Sequence, residues 1–447
     1  MLKPSTFKIE GFFYSPYIVI FMKKILLVNP PIYDFSAYDF WLRPYGLLTV
    51  AGYLQNSAQL FLFDYLDRQS GAVSPKDQPD EFGRGKFLDK IIDRPINFKG
   101  IPRYYRRFGK PREMFRQFIL EHQTFDFVLI QTVMTYWQIG VEEAIADIRD
   151  ICPEAKIILG GVYATICREH AKTIGADFIL SGTDLGPLWD YIQITPDMKQ
   201  LPYWQGYQSP GNGIIKLADG CPFKCTYCSV PKIYEGFKSR GLERAVREFD
   251  FMALLGIRNI AFYDDSLLHK TDEVLGPFLK YVVSQKTCIN FHTPNALNAR
   301  FIKPDIAELM ISAGVKTFYI GYESNSVVWQ NNTGGKVCTS EFKQAVNYLA
   351  SAGANRKNIT AYIIIGHPDD DIQQVEQSMY QANESGVKIM LAEFSPIPGT
   401  EDGQKCSKWV DMSVPLNHNK TAFTIWSKGF EESNRLKRLC KKLNKII

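Results

Sequence analysis

The chain has 447 residues, of which 45% are hydrophobic and 22% charged, enough for two or three globular domains. A formal net charge of +5 is too modest to argue for nucleic acid, which is not expected as a partner. Nine cysteines, an odd number with no secretory pattern around them, argue against a disulfide framework and for the reducing cytoplasm.

The first apolar run is residues 11–22, GFFYSPYIVIFM. It is too short to span a bilayer, is broken by Pro16 and lacks a small-residue cleavage site, so no transmembrane segment or signal peptide is expected. Met22-Lys-Lys then opens the strand ILLVNPP. Met22 is the expected natural start, with residues 1–21 an upstream extension.

From Lys24 the pattern alternates strand and helix. Lys24–Asn29 is a continuous apolar run, as in a strand buried on both faces. A helix over 47–54 and a strand over 60–64 follow. Further strands are predicted at 125–131, 156–159 and 177–180, with helices over 141–150 and 167–174 between them. Gly160-Gly161 and Ser181-Gly182 punctuate the ends. Such alternation predicts a doubly wound, flavodoxin-like parallel sheet over 22–195, which binds ligands at the carboxyl ends of its strands.

Residues 70–120 interrupt this pattern as a basic insert. Between Arg84 and Arg116 stand eleven Lys/Arg and three acids. Such a run is either a solvated surface or an anion site. Tyr104, Tyr105 and Phe108 interleave with the arginines.

The second half has its own cadence. Strands are expected at 214–217, 259–264, 289–293, 317–323, 359–366 and 388–394, with helices between them. Six units predict a partial (β/α)6 barrel over 205–400 rather than a closed eight-unit one. Residues 401–447 form a tail whose Leu436, Leu439 and Leu443 at helical spacing predict a helix docked on the barrel.

Cys221, Cys225 and Cys228 lie in one loop after the first barrel strand, in the spacing C-x3-C-x2-C. A complete [4Fe–4S] site takes four thiolates. Three leave one iron open to a substrate or cofactor. A zinc site would instead need a distant fourth ligand such as His292. Chemistry in β/α barrels lies at the carboxyl ends of the strands. Here those ends are polar: Asp264-Asp265, His292-Thr-Pro-Asn295, Gly321-Tyr-Glu323, Gly366-His-Pro368 and Glu393 through Ser395 to Thr400.

The triplet, with Tyr227 before its last cysteine, resembles the cluster motif of the radical S-adenosylmethionine (SAM) superfamily. The resemblance implies a [4Fe–4S] cluster whose open iron chelates SAM and whose electron cleaves it to a 5′-deoxyadenosyl radical, with a flavodoxin- or ferredoxin-type electron donor as partner. Gly321-Tyr-Glu323 is similar to the family's Gly-Gly-Glu motif, which implies that Glu323 accepts a hydrogen bond from the SAM amine; Tyr322 replaces the second glycine. Asp264, Asn295 and Ser395 fall at positions that also resemble the family's SAM contacts.

The first half resembles the cobalamin-binding domain often fused ahead of such barrels. Asn29-Pro-Pro31, Pro44-Tyr-Gly-Leu-Leu48, Met134-Thr135 and Gly160-Gly-Val-Tyr-Ala-Thr165 carry the likeness. It implies cobalamin contacts from Thr132, Met134, Gly160, Gly161 and Thr165. No Asp-x-His-x-x-Gly is present, so no histidine is offered to cobalt from below. The implied activity is cobalamin-assisted radical SAM chemistry, such as methylation of an unactivated carbon of a small molecule or peptide. Three alternatives stand beside it: a barrel enzyme whose first domain has lost cobalamin, a non-catalytic iron–sulfur carrier or sensor, and a tRNA methylthiotransferase. The last carries extra cysteines in its first domain, where this chain has only Cys152 and Cys167.

Overall fold

Ile25, Leu26, Leu27 and Val28 are all fully buried, because their strand, Lys23–Asn29, is covered on both faces. Leu26 and Val28 join one apolar cluster and Ile25 and Leu27 another, as the two-residue strand period requires. The structure, a computed structural model, describes residues 22–69 and 78–447. The expected extension 1–21 and residues 70–77 of the insert lie outside the described residues.

Lys23–Asn29 is the second strand of a five-stranded parallel sheet. Its neighbours in order are Ala58–Asp64 on one side and Phe127–Thr132, Lys156–Gly161 and Phe178–Leu180 on the other. The chain therefore reverses its winding between Lys23–Asn29 and Phe127–Thr132. That switch point opens a crevice at the carboxyl ends of the strands.

The basic insert is not a loose charged segment. Asp89–Ile92 and Tyr105–Phe108 pair with Ile32–Asp34 in a three-stranded antiparallel sheet. The helix Arg112–His122 buries Phe115 and Ile119 against the parallel sheet. Many of the cations are consumed internally. Arg107 pairs with Glu143 at 2.7 Å, and Arg112 and Arg116 meet the fully buried Asp147 at 2.8 and 2.6 Å. Phe98, Ile101 and Tyr105 pack on Ala422 and Ile425 of the tail. The insert thus ties the first domain to the end of the chain.

Six parallel strands form the second sheet in strict chain order: Asn212–Ile215, Asn259–Phe262, Asn290–Leu297, Val315–Glu323, Ile359–Ile365 and Lys388–Glu393. The first and sixth strands are its two free edges, so the barrel is open. Asn444, on the tail helix Phe430–Asn444, bonds both the N–H and the carbonyl of Ile389 at 2.8 Å, which satisfies the outer edge of the sixth strand. Leu436 and Leu443 of that helix are buried in the main core.

His292 departs from its expected place at a strand end. The third barrel strand continues to Leu297 with irregular register after Thr293, so His292 sits near its amino end. There its ring stacks on Trp41 of the first domain, 4.0 Å between centroids. Its two nitrogens bond Thr317 and Asn259 at 3.0 and 3.1 Å, and burial pushes its pKa down to about 3. It is a neutral packing residue inside the barrel, not a metal ligand beside the cysteines.

Candidate functional site

Ala218–Asp219 pairs antiparallel with Lys238–Ser239, which closes the cysteine loop into an excursion just past the first barrel strand. Gly220 opens it at φ +72°, and a Cβ there would stand 1.9 Å from the carbonyl oxygen of Gly236, so only glycine fits. Asp264, buried at the end of the second strand, accepts from the N–H groups of Leu217 and Ala218 at 2.9 and 2.7 Å. Burial pushes its pKa up to about 7, against the opposing charge of Lys216. Asn295 donates to the Asp264 carbonyl at 3.3 Å. These two residues brace the lead-in to the loop.

The far side of the loop is held from the other end of the chain. The Thr226 hydroxyl donates to Asp402, and the Asp402 N–H returns a bond to the Thr226 carbonyl at 3.2 Å. His367 lies 3.0 Å from the same carboxylate, and both are fully buried. Tyr227 stacks on Trp329 and meets the edge of His367. These rings screen the loop from water.

Cys225 is buried, and Cys221 and Cys228 are partly exposed. Burial pushes the Cys228 thiol up to about 11 and the Cys225 thiol in the same direction; nearby thiols add to this and Lys336 opposes it. The three thiols are within electrostatic reach of one another. A multi-iron cluster takes its thiolates on separate irons, whereas zinc gathers four ligands on one. Three thiols on one loop, with His292 bonded to Thr317 and Asn259, fit the cluster.

Glu323 ends the fourth barrel strand at φ +63°, in the left-handed region, where the register with the fifth strand breaks. Its carboxyl turns back over Gly321 and faces the charge of Lys336; desolvation raises its pKa and Lys336 opposes that. It also lies in the field of Cys225 and Tyr227. Tyr322 is the residue skipped at that register break: it points outward from the barrel, stacks on Phe342 at 4.3 Å and donates to Gln381 at 2.5 Å. Glu323, Gly321, Asp264 and Asn295 thus gather around the cysteine loop. The Ser395 hydroxyl donates to the His418 carbonyl at 2.7 Å.

In the first domain, Gly160, Gly161 and Thr165 line a cavity of about 210 Å³ at the carboxyl ends of the strands. Gly161 is held at φ +111°, where a Cβ would lie 2.1 Å from the Thr132 carbonyl oxygen. The Thr132 hydroxyl donates to the Gly160 carbonyl and accepts from the Ala164 N–H. Thr165 donates to the Gly161 carbonyl and accepts from Gly182. Met134 is 40% exposed and lines the adjoining cleft with Thr132. Ile233 and Tyr234, which follow the cysteine loop, complete the cavity wall. The glycine-lined cradle suits a flat cofactor approaching the backbone. His170 on the next helix is hydrogen-bonded to Tyr163 at 2.7 Å.

Residues 215–379 match the family model of the radical SAM superfamily. The barrel is a radical SAM domain. Threonylcarbamoyladenosine tRNA methylthiotransferase MtaB of Thermotoga maritima is 24% identical over 283 residues, covering 58% of this chain and 64% of that protein. The chain therefore spans less than two thirds of that relative's length. The solved radical SAM methyltransferase TsrM of Kitasatospora setae, with cobalamin and a [4Fe–4S] cluster bound, superposes with a TM-score of 0.63 at 13% identity, covering 90% of this chain and 85% of that one. The cobalamin-dependent radical enzyme OxsB, with aqua-cobalamin and SAM bound, gives 0.55 at 12% identity, covering 94% and 61%. The likeness to both covers 90% or more of this chain, so the described sheet and barrel share their fold.

The radical SAM domain contains site residues that the sequence pattern did not single out. Lys336 faces both Glu323 and the cysteines, and follows Gly334-Gly335 in a turn. Gly334 packs so close that a Cβ would lie 3.2 Å from the Cα of Cys225. The Gly-Gly-Lys run was a visible turn signal, but nothing local tied it to the loop about a hundred residues earlier. Asp402 likewise carries no local mark of its role.

Proposed function

We propose that this chain is a radical SAM enzyme that cleaves SAM reductively at a [4Fe–4S] cluster and acts together with cobalamin to methylate an unactivated carbon. Cys221, Cys225 and Cys228 would hold the cluster, Glu323 the SAM amine, and Gly160, Gly161, Thr165, Thr132 and Met134 the corrin. When bound, the cluster supplies the electron that splits SAM into methionine and a 5′-deoxyadenosyl radical, and cobalamin supplies a transferable methyl group.

The observation that carries this reading is the shared wall. Ile233 and Tyr234 leave the cysteine loop and line the glycine cavity of the first domain, so the two cofactor sites are neighbours. Within the loop, Asp264 fixes the entry, and Thr226 with Asp402 fixes the middle. Tyr227 and Trp329 exclude water. Glu323 presents a carboxylate beside a cation, an environment that orients an amine and a carboxylate together. The cysteine-poor first domain, with Cys152 buried beneath the sheet, favours this reading over methylthio transfer.

Anaerobically reconstituted protein should form 5′-deoxyadenosine with a reductant, and Cys221→Ala should abolish it. Full activity in that variant would refute the cluster assignment. Added cobalamin should leave a corrin absorption band on the purified protein. Absence of SAM binding by calorimetry would instead favour a non-catalytic iron–sulfur carrier.

A further inference from the structure

We propose that the substrate is an anion with an aromatic body, bound in the cavity where the insert, the loop after the first strand and the tail meet. This rests on the function proposed above and names its substrate class. The cavity has a volume of about 800 Å³, in the range of sites for small organic ligands. Rings dominate its wall, among them Phe35, Phe87, Phe108 and Trp137 from the first domain and Tyr263 from the barrel. Flat apolar surface of this kind selects an aromatic or fused-ring partner.

Among the described residues the cations Lys86, Arg106 and Lys420 and the acid Asp89 line the cavity; Arg106 is bound to Asp89, so the charge the cavity offers a ligand is that of Lys420. Lys420 lies in the field of Asp34 and Glu393. Both carboxylates are served by other donors, Asp34 by Asn419 and Trp137, and Glu393 by Thr421 and Lys437. Among the described residues Lys420 makes no ion pair of its own. Arg106 stands opposite Asp34 in the small sheet and Lys420 lies in the field of that same buried carboxylate, and both cations line the cavity beside it. A carboxylate or phosphate in the cavity would meet the Lys420 ammonium.

The position also suits a substrate. Ile32, Leu42, Met134 and Trp137 line both this cavity and the cleft at the carboxyl ends of the first sheet. Tyr263 immediately precedes Asp264, which braces the cysteine loop. A ligand here lies between the cleft of the first domain and the barrel rim.

The test is calorimetry on the full-length, reconstituted protein with 2-naphthoate and its neutral isostere 2-naphthamide. Naphthoate should bind one per chain and at least about tenfold tighter than the amide, the scale of one charge-assisted hydrogen bond. Lys420→Met should shrink that preference to within about twofold and leave amide binding unchanged, while Trp137→Ala should weaken both probes. If Lys420→Met is insoluble, Lys420→Gln carries the same comparison. Failure of naphthoate to bind, or a preference that survives both Lys420 variants, overturns the proposal. 5′-Deoxyadenosine formation by the same preparation without probe reads the functional proposal separately. Charge-selective binding without SAM cleavage would refute that function and leave this site standing; cleavage without naphthoate binding would do the reverse.

Discussion

The Oε1 oxygen of Glu323 lies 2.8 Å from the point where a Cβ on Gly321 would stand. A methyl group on Gly321 would therefore displace the Glu323 carboxyl from its place. Gly321→Ala should push the carboxylate away from Lys336 and weaken SAM binding by about tenfold or more, roughly the loss of one charged hydrogen bond. Cluster absorbance should not change. Calorimetry with SAM decides it; wild-type affinity in Gly321→Ala would remove Glu323 from the SAM site.

Glu323 also holds a left-handed backbone conformation that costs a non-glycine residue about 1–2 kcal/mol. Strain of this kind at a strand end is kept where function needs the side chain. Glu323→Gly should fold with equal or greater stability than the wild type and bind no SAM. A variant that is both clearly less stable and SAM-competent would show the residue to be structural.

Asp402, at the start of the tail, holds the cysteine loop through Thr226 and the end of the fifth barrel strand through His367. Asp402→Ala leaves His367 and Thr226 without their buried hydrogen-bond partner, a loss on the order of 1–3 kcal/mol for each buried group left unsatisfied. Iron per chain after reconstitution should fall well below that of the wild type, because the loop loses its anchor. Normal iron content and an unchanged cluster spectrum would contradict the anchoring role.

Trp41 reaches from the first domain into the barrel and stacks on His292. Its indole N–H donates to the Phe82 carbonyl at 2.8 Å, and the side chain is fully buried. Trp41→Ala should cost about 3–5 kcal/mol by cavity formation. Denaturant unfolding measures it, and a loss below about 1 kcal/mol would mean that the two domains do not depend on this contact.

Glu248 lies buried between barrel helix Leu242–Leu254 and the first domain, accepting from the Tyr45 hydroxyl at 3.0 Å. Burial raises its pKa from 4.5 to about 7, with Arg240 opposing. The folded state thus binds a proton more tightly than the unfolded chain. This group favours folding below the unfolded pKa, and its contribution is lost as pH rises from about 4.5 through about 7. Glu248→Gln should remove that loss, so its melting temperature relative to wild type should climb between pH 5 and pH 8. A constant difference across that range would place the proton elsewhere.

Sequence and structure divide here along chain distance. Apolar runs such as Ile25–Val28, closed by Pro30-Pro31 or Gly160-Gly161, mark strands because a strand's period and its stop are written within a few residues. The cysteine triplet is equally local, and so is the Gly-x-Glu turn at 321–323. From these the doubly wound sheet, the six-stranded open barrel and the cysteine loop were all legible.

Only the tertiary structure decided which distant residues meet. It placed Lys336 against Glu323, Asp402 behind Thr226 and His292 in the lumen under Trp41. It also spent much of the insert's charge on Glu143 and Asp147. These pairings span tens to hundreds of residues, and no local period encodes them. They follow from strand register and winding order, which fix where side chains arrive once both sheets are formed.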